Sequence, residues 1–305
     1  MAGMLDYHLH LWPHGQRAVQ ATVEDLAAYC HQAALEGVSE LAMTEHLFRF
    51  EQADALLGGW WEDEADPRLR ASAASYWNTH VSADLDAYVE TCLAAKAAGL
   101  PVVVGMEVDY YPGRMDEVGA LLAQYPFDVL LGSVHWLGTW MFDDLASAIA
   151  VGEWDARSVE RVWDDYTRAL EELAASGAVD VLAHPDLCKV AGHRPALPDE
   201  FHDRMAEAAA AAGLAAEVNS AGWRKPAAEA YPAPSLLERF HARGVPVTTA
   251  SDAHRLSEVA FRSSDVRRLV SAAGYTELCA FEGRQPRAVP IGAEPASPEP
   301  ASAEG

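Results

Sequence analysis

The chain has 305 residues, half of them apolar, enough to bury a full core and better suited to one large α/β domain than to two small ones. Its net charge of −24, from 22 basic against 46 acidic residues, argues against holding a nucleic-acid backbone by counterion release. No basic segment followed by an apolar run opens the sequence, and no stretch approaches ~18 consecutive apolar residues, so the expected setting is the cytoplasm, away from any membrane.

Along the chain, short β-branched runs alternate with alanine-rich segments of helical period, the pattern of repeated β-α units around a mainly parallel sheet. Strands are predicted at 4–9, 38–43, 102–108, 128–134, 179–183, 214–219 and 245–250. Between the first two, Thr22 with Asp25 reads as a capping box that opens a helix, and Gly37 reads as its stop. Residues 51–80, with GGWWEDEADP, break the alternation and are expected to form an inserted loop or lid. Further on, Asp199 precedes a helical run that Gly213 ends. No linker divides residues 1–287, which are expected to form one domain, and residues 288–305 lack apolar anchors and read as a disordered tail. The scattered Cys30, Cys92, Cys188 and Cys279 read as small buried apolar side chains.

Nearly every predicted strand runs into a potential metal ligand. The opening DYHLHLWPHG places His8 and His10 on one face of a strand, with His14 close behind. Strand two runs into His46, strand three into Glu107, strand four into His135, strand five into His184, and strand seven into Asp252 and His254. Strand six runs into EVNSAGWRKP and supplies Asn219, Arg224 and Lys225 instead. In parallel α/β proteins the carboxyl ends of the strands gather on one side, and in a closed barrel they ring a single centre. Seven imidazoles with two carboxylates suit zinc, manganese or iron better than calcium or magnesium, and exceed what one tetrahedral ion requires. The count points to two or three divalent cations.

Any one histidine at a strand end is more often a hydrogen-bonded structural residue. Seven of the chain's twelve histidines at corresponding points of successive units is a different matter. His31, His202 and His241 on predicted helices, and His80 and His193 in loops, keep the structural reading. Asp109 and Asp186 are candidates to orient an imidazole by accepting its other N–H, and Glu45 is expected to face outward or stand behind a ligand.

The set HxH, TEH, GxE, SVH, a single His and SDAH resembles the polymerase and histidinol phosphatase family of metal-dependent phosphoesterases. Within it, the resemblance is greatest to the monofunctional histidinol-phosphate phosphatases and extends from residue 5 to about residue 256. It implies a distorted (β/α)7 barrel with its site at the C-terminal ends of the strands, in agreement with the seven strands predicted. It implies one ion on His8, His10, Glu107 and Asp252, a second on Glu107, His135 and His184, and a third on His14, His46 and His254. Glu107, Asp252 and Arg224 would be catalytic, with Arg224, Lys225, Lys189 and Asn219 contacting the substrate.

The expected activity is hydrolysis of a small phosphate monoester, best L-histidinol phosphate of histidine biosynthesis, by a hydroxide bridging two cations that Glu107 joins. The partner is then a small phosphorylated metabolite. A metal-dependent amidohydrolase is a rival, but such enzymes lack a third position like that of His14, His46 and His254. A catalytically silent metal-binding module is another, opposed by the complete ligand set. No GxSxG elbow exists, so Ser251, Asp252 and His254 do not make a serine triad.

Overall fold

The structure is a computed structural model and describes residues 3–292. Seven parallel strands pair in chain order: β1 (Met4–Leu9), β2 (Val38–Met43), β3 (Val102–Asp109), β4 (Val129–Ser133), β5 (Val181–Leu182), β6 (Ala215–Asn219) and β7 (Val247–Ala250). Apart from two half-buried positions in β2, every strand residue is buried, as a parallel sheet enclosed by helices requires. The seam between β7 and β1 has no continuous ladder. It is tied by a single bridge between Leu9 and Ala253, by the Thr249 hydroxyl donating to the Leu5 carbonyl at 2.7 Å, and by Asp6 accepting from Ser251 N and Oγ, both at 2.7 Å. The result is a nearly closed, distorted (β/α)7 barrel.

The helices are α1 (Val23–Leu35), α2 (Glu51–Leu57), α3 (Pro67–His80), α4 (Leu85–Ala97), α5 (Met115–Leu122), α6 (Ala148–Ala156), α7 (Val159–Ala175), α8 (Pro198–Ala212), α9 (Pro234–Ala242) and α10 (Ser263–Ala272). Both halves of the Thr22–Asp25 capping box form at the start of α1. Helix α8 starts at Pro198, placing Asp199 in its first turn, and ends on Gly213 at φ 67°, the left-handed closure that glycine adopts without penalty.

The structure departs from the sequence reading at the insertion and at the C-terminal end. Residues 51–80 are mostly helical, with Asp66 capping α3 and Pro67 at its first position. Their tryptophans form an aromatic core: Trp77 is buried and donates to Asp54 at 2.6 Å, while Trp60 packs edge-on against Trp136 at 5.1 Å. The expected boundary at residue 287 falls inside an antiparallel hairpin, Glu277–Glu282 with Gln285–Pro290. Its turn residues Gly283 and Arg284 have φ of 54° and 63°, the twist that two-residue hairpins favour. The hairpin closes the N-terminal end of the barrel, where Gly283 N donates to Asp128 and Arg284 pairs with Asp180 at 3.0 Å. Residues 293–305 of the expected tail lie outside the described residues. All four cysteines are buried and free.

Candidate metal centre

The carboxyl ends of the strands bring the predicted ligands together. Glu107, near the end of β3, stands at the centre and divides its two oxygens. Its Oε2 lies 3.2 Å from His8 Nε2, 3.6 Å from His10 Nε2 and 2.6 Å from His46 Nδ1. Its Oε1 lies 3.4 Å from His135 Nε2 and 3.1 Å from His184 Nε2. Asp252, just past β7, has Oδ1 3.4 Å from His10 Nε2, 4.0 Å from His8 Nε2 and 3.6 Å from His254 Nδ1. His46 and His254 face each other through their Nε2 atoms at 3.4 Å, and the His14 ring stacks on His254 with centroids 4.1 Å apart. His184 and Asp252 hold φ of 28° and 53°, backbone strain of the kind concentrated at functional sites.

Outer partners aim several of the rings. His8 Nδ1 lies 2.9 Å from Glu217 Oε1, and His135 Nδ1 lies 2.7 Å from Asp109 Oδ1, which turns the Nε2 atoms of both rings inward. The other Glu217 oxygen accepts from His184 N at 2.7 Å and from Asn219 Nδ2 at 2.9 Å. Glu45 faces inward: it accepts from Leu11 N and from Trp12 N, and stands 3.7 Å from His10 Nδ1. The loop of His14 is held from outside. Buried Arg49 donates to the carbonyls of Trp12, Pro13 and Gln16, His80 Nε2 accepts from Gly15 N at 2.9 Å, and the Tyr76 hydroxyl lies 3.3 Å from His14 Nδ1. His80, read from sequence as a loop residue without matching partners, is thus the end of α3 and a prop for this loop.

The donor set fits divalent metal ions. Donor atoms of His8, His10 and Asp252, of His8, Glu107 and His184, of His10, His46 and His254, and of His46, Asp109 and His135 lie within 4.8 Å of one another in each group. His8 Nε2, both His10 nitrogens, His46 Nδ1 and Glu107 Oε2 are buried without a hydrogen-bond partner although they crowd together. Buried polar atoms are rarely left so, and lone pairs that converge without donating to one another are what a cation between them satisfies. Among the protein's own groups, burial opposes ionisation of Glu107, but His46, His8 and His135 outweigh it and hold its pKa well below the usual range. Burial likewise pushes His135 down, yet Asp109 and Glu107 raise it to about 10.

A cleft of about 320 Å³ opens over the centre, lined among others by His14, His135, Asp143, Arg224, Lys225 and Tyr231. Arg224 follows a tight turn in which a Cβ on Gly222 would stand 2.0 Å from the Glu229 carbonyl, so only glycine fits. Arg224 Nη2 donates to the carbonyls of Ser251 and Asp252 at 2.9 and 2.8 Å, while Nη1 is buried and unpartnered. Two expected substrate contacts need correction. The Lys189 ammonium is fully buried between Asp186 and Glu229, each at 2.8 Å, and Asn219 is consumed by Glu217 and by capping Ala221 N at 2.7 Å. Asp186, engaged with Lys189 and Ala233 N, is not placed to orient His184. Sequence reading passed over Glu217, whose signal was a carboxylate inside the apolar strand LAAEVN, and Asp143, which had no signal.

A seven-stranded parallel barrel with imidazoles and carboxylates converging at its C-terminal mouth is the build of a metal-dependent hydrolase. Residues 6–221 match the PHP domain family, and the chain belongs to that family. It is 34% identical over 289 residues to a probable histidinol-phosphatase of Deinococcus radiodurans, covering 94% of this chain and 100% of the relative. Its fold is shared with the histidinol phosphate phosphatase of Lactococcus lactis, solved with zinc, L-histidinol and phosphate, at 20% identity and a TM-score of 0.66 over 94% of this chain and 100% of that one. The putative histidinol phosphatase of Listeria monocytogenes gives the same TM-score at 18% identity, covering 86% and 99% of the two chains.

Proposed function

We propose that the chain hydrolyses L-histidinol phosphate to L-histidinol and phosphate, acting in the cytoplasm as a metal-dependent phosphoric monoester hydrolase of histidine biosynthesis. The observation that carries this reading is the division of Glu107, one oxygen toward His8, His10 and His46 and the other toward His135 and His184. A carboxylate so placed would be shared by two cations. The name of the Deinococcus relative and the molecules bound in the Lactococcus structure support the substrate.

His8, His10, Glu107 and Asp252 would hold one ion, Glu107, His135 and His184 a second, and His14, His46 and His254 a third. Zinc suits this histidine-rich set and accompanies the Lactococcus enzyme; manganese and iron suit the same donors. Divalent cations held there would lower the pKa of water toward neutrality and neutralise charge on the phosphoryl group. The chain's own residues do the rest. Arg224 offers its free Nη1 to a non-bridging phosphoryl oxygen while Nη2 stays fixed, and Lys225 at the rim adds positive charge. Glu217 and Asp109 keep His8 and His135 in the orientation that the centre needs.

The test is to measure bound metals in the purified protein and assay a panel of phosphate monoesters and a cyclic amide with zinc or manganese supplied. Hydrolysis of L-histidinol phosphate is expected, and Arg224→Ala should lose about 10²–10³-fold in kcat/KM with metal retained, as for loss of one transition-state donor. Turnover of the amide without any ester overturns the reading.

A further inference from the structure

We propose that Asp143 forms a subsite for an organic ammonium group carried on the alcohol half of the substrate. The inference rests on the phosphomonoesterase reading and adds a specificity residue to it. After β4 the chain passes His135, runs through the short hairpin Trp136–Leu137 with Trp140–Met141, and returns so that Phe142 N donates to the His135 carbonyl at 3.2 Å. That hydrogen bond sets Asp143 beside the centre, on the wall of the cleft.

Asp143 differs from every other carboxylate lining the cleft. Glu107 and Asp252 are committed to imidazoles, and Glu258 accepts from His254 N at 3.0 Å. The Asp143 carboxylate has no hydrogen bond or ion pair among the described residues, and its Oδ1 is buried. The Tyr231 hydroxyl on the same cleft is also buried and unpartnered. Met141, Leu187 and Val190 supply an apolar wall around these groups. Burial pushes the pKa of Asp143 up, while His135, Lys225 and His184 pull it down.

Asp143 is half-buried, and its Oδ1, shut off from solvent without a partner, carries a desolvation cost that a ligand cation removes. An ammonium fits because it brings charge together with three donors, enough for Asp143, for Tyr231 as acceptor, and for water. A neutral analogue would leave Asp143 unpaired, which is how a buried polar site discriminates strongly against a ligand that lacks one group. Arg224 and Lys225 meet the anionic end of the same molecule. The cleft would thus recognise a zwitterion, with phosphate over the metals and the amine at Asp143.

Two matched pairs test this: L-histidinol phosphate against its des-amino analogue, and O-phosphoethanolamine against ethyl phosphate. The metal-loaded wild type should favour the amine of a pair by at least about tenfold in kcat/KM, the discrimination a charged hydrogen bond supplies. Asp143→Asn should abolish that preference chiefly through KM. In calorimetry it should weaken L-histidinol binding by a similar factor while leaving inorganic phosphate binding and metal content unchanged. Asp143→Ala should behave alike, which guards against a private effect of asparagine. No amine preference in either pair, a preference that survives in both variants, or loss of metal from Asp143→Asn overturns the proposal. Failure to hydrolyse L-histidinol phosphate, with an amine preference retained in the second pair and lost in the variants, sinks the substrate reading alone.

Discussion

The two sides of the centre are held in different ways. His8, Glu107 and His135 lie at or just beyond the ends of barrel strands, so their backbone is set by the sheet, and the two imidazoles are aimed by buried carboxylates. His14 lies in a loop on the rim, and its backbone is fixed by Arg49 from the turn after β2 and by His80 from the insertion. A strand-end ligand is placed by the fold itself; a loop ligand needs props recruited from elsewhere. The insertion therefore has a task, which is to complete the side of the centre that the barrel leaves open.

The largest break in this comparison should come from Glu107→Gln. It removes the proposed shared ligand of the strand side, and both metal retention and turnover should fall further than in Arg224→Ala, as read by metal analysis and kinetics. Next, Glu217→Gln should weaken metal binding by about 10–100-fold, the usual effect of losing the partner of a ligating imidazole. Metal titration of the variant followed by competition with a chelator checks this. On the loop side, Tyr76→Phe should weaken one metal equivalent by only about tenfold, because Arg49 and His80 still hold the backbone of the loop. If Tyr76→Phe costs as much as Glu217→Gln, the contrast between the two sides is wrong.

The smallest effect belongs to the seam and touches stability alone. Burial raises Asp6 to about 6, against the lowering hydrogen bonds from Ser251 and Ala260. A carboxyl whose folded pKa exceeds its unfolded value near 3.9 favours the fold when protonated. Its contribution is present below the unfolded pKa and is lost as pH rises through about 6. Asp6→Asn should flatten the stability profile between about pH 4 and 6 by on the order of 3 kcal/mol, measured by denaturant unfolding.

Much of the scaffold was legible because buried parallel strands are nearly continuous apolar runs. The first two strands match their expected bounds residue for residue, and the Thr22 cap and Gly213 stop lie where their chemistry placed them. The insertion was illegible as helix because its tryptophans and glycines hide the period, although Asp66–Pro67 is a clear start. The C-terminal hairpin was missed because one of its strands is almost wholly exposed and shows no alternation. Within the site, residue type and strand-end position sufficed to collect the imidazoles. They did not suffice for Lys189 and Asn219, because a side chain beyond a strand end turns according to its local partners, here Asp186, Glu229 and Glu217.

From the sequence came the repeated β-α units, the end of the sheet that carries the chemistry, and the identity of the groups that converge there, since these depend on periodicity and on residue type at recurring positions; closure into a barrel was implied by the family resemblance. Only the tertiary structure decided which imidazoles each oxygen of Glu107 faces, that Glu217 stands behind His8, and that Asp143 is left without a partner. These are relations between side chains far apart in the chain, and their distances arise from how the strands twist and the loops pack, which no local pattern encodes.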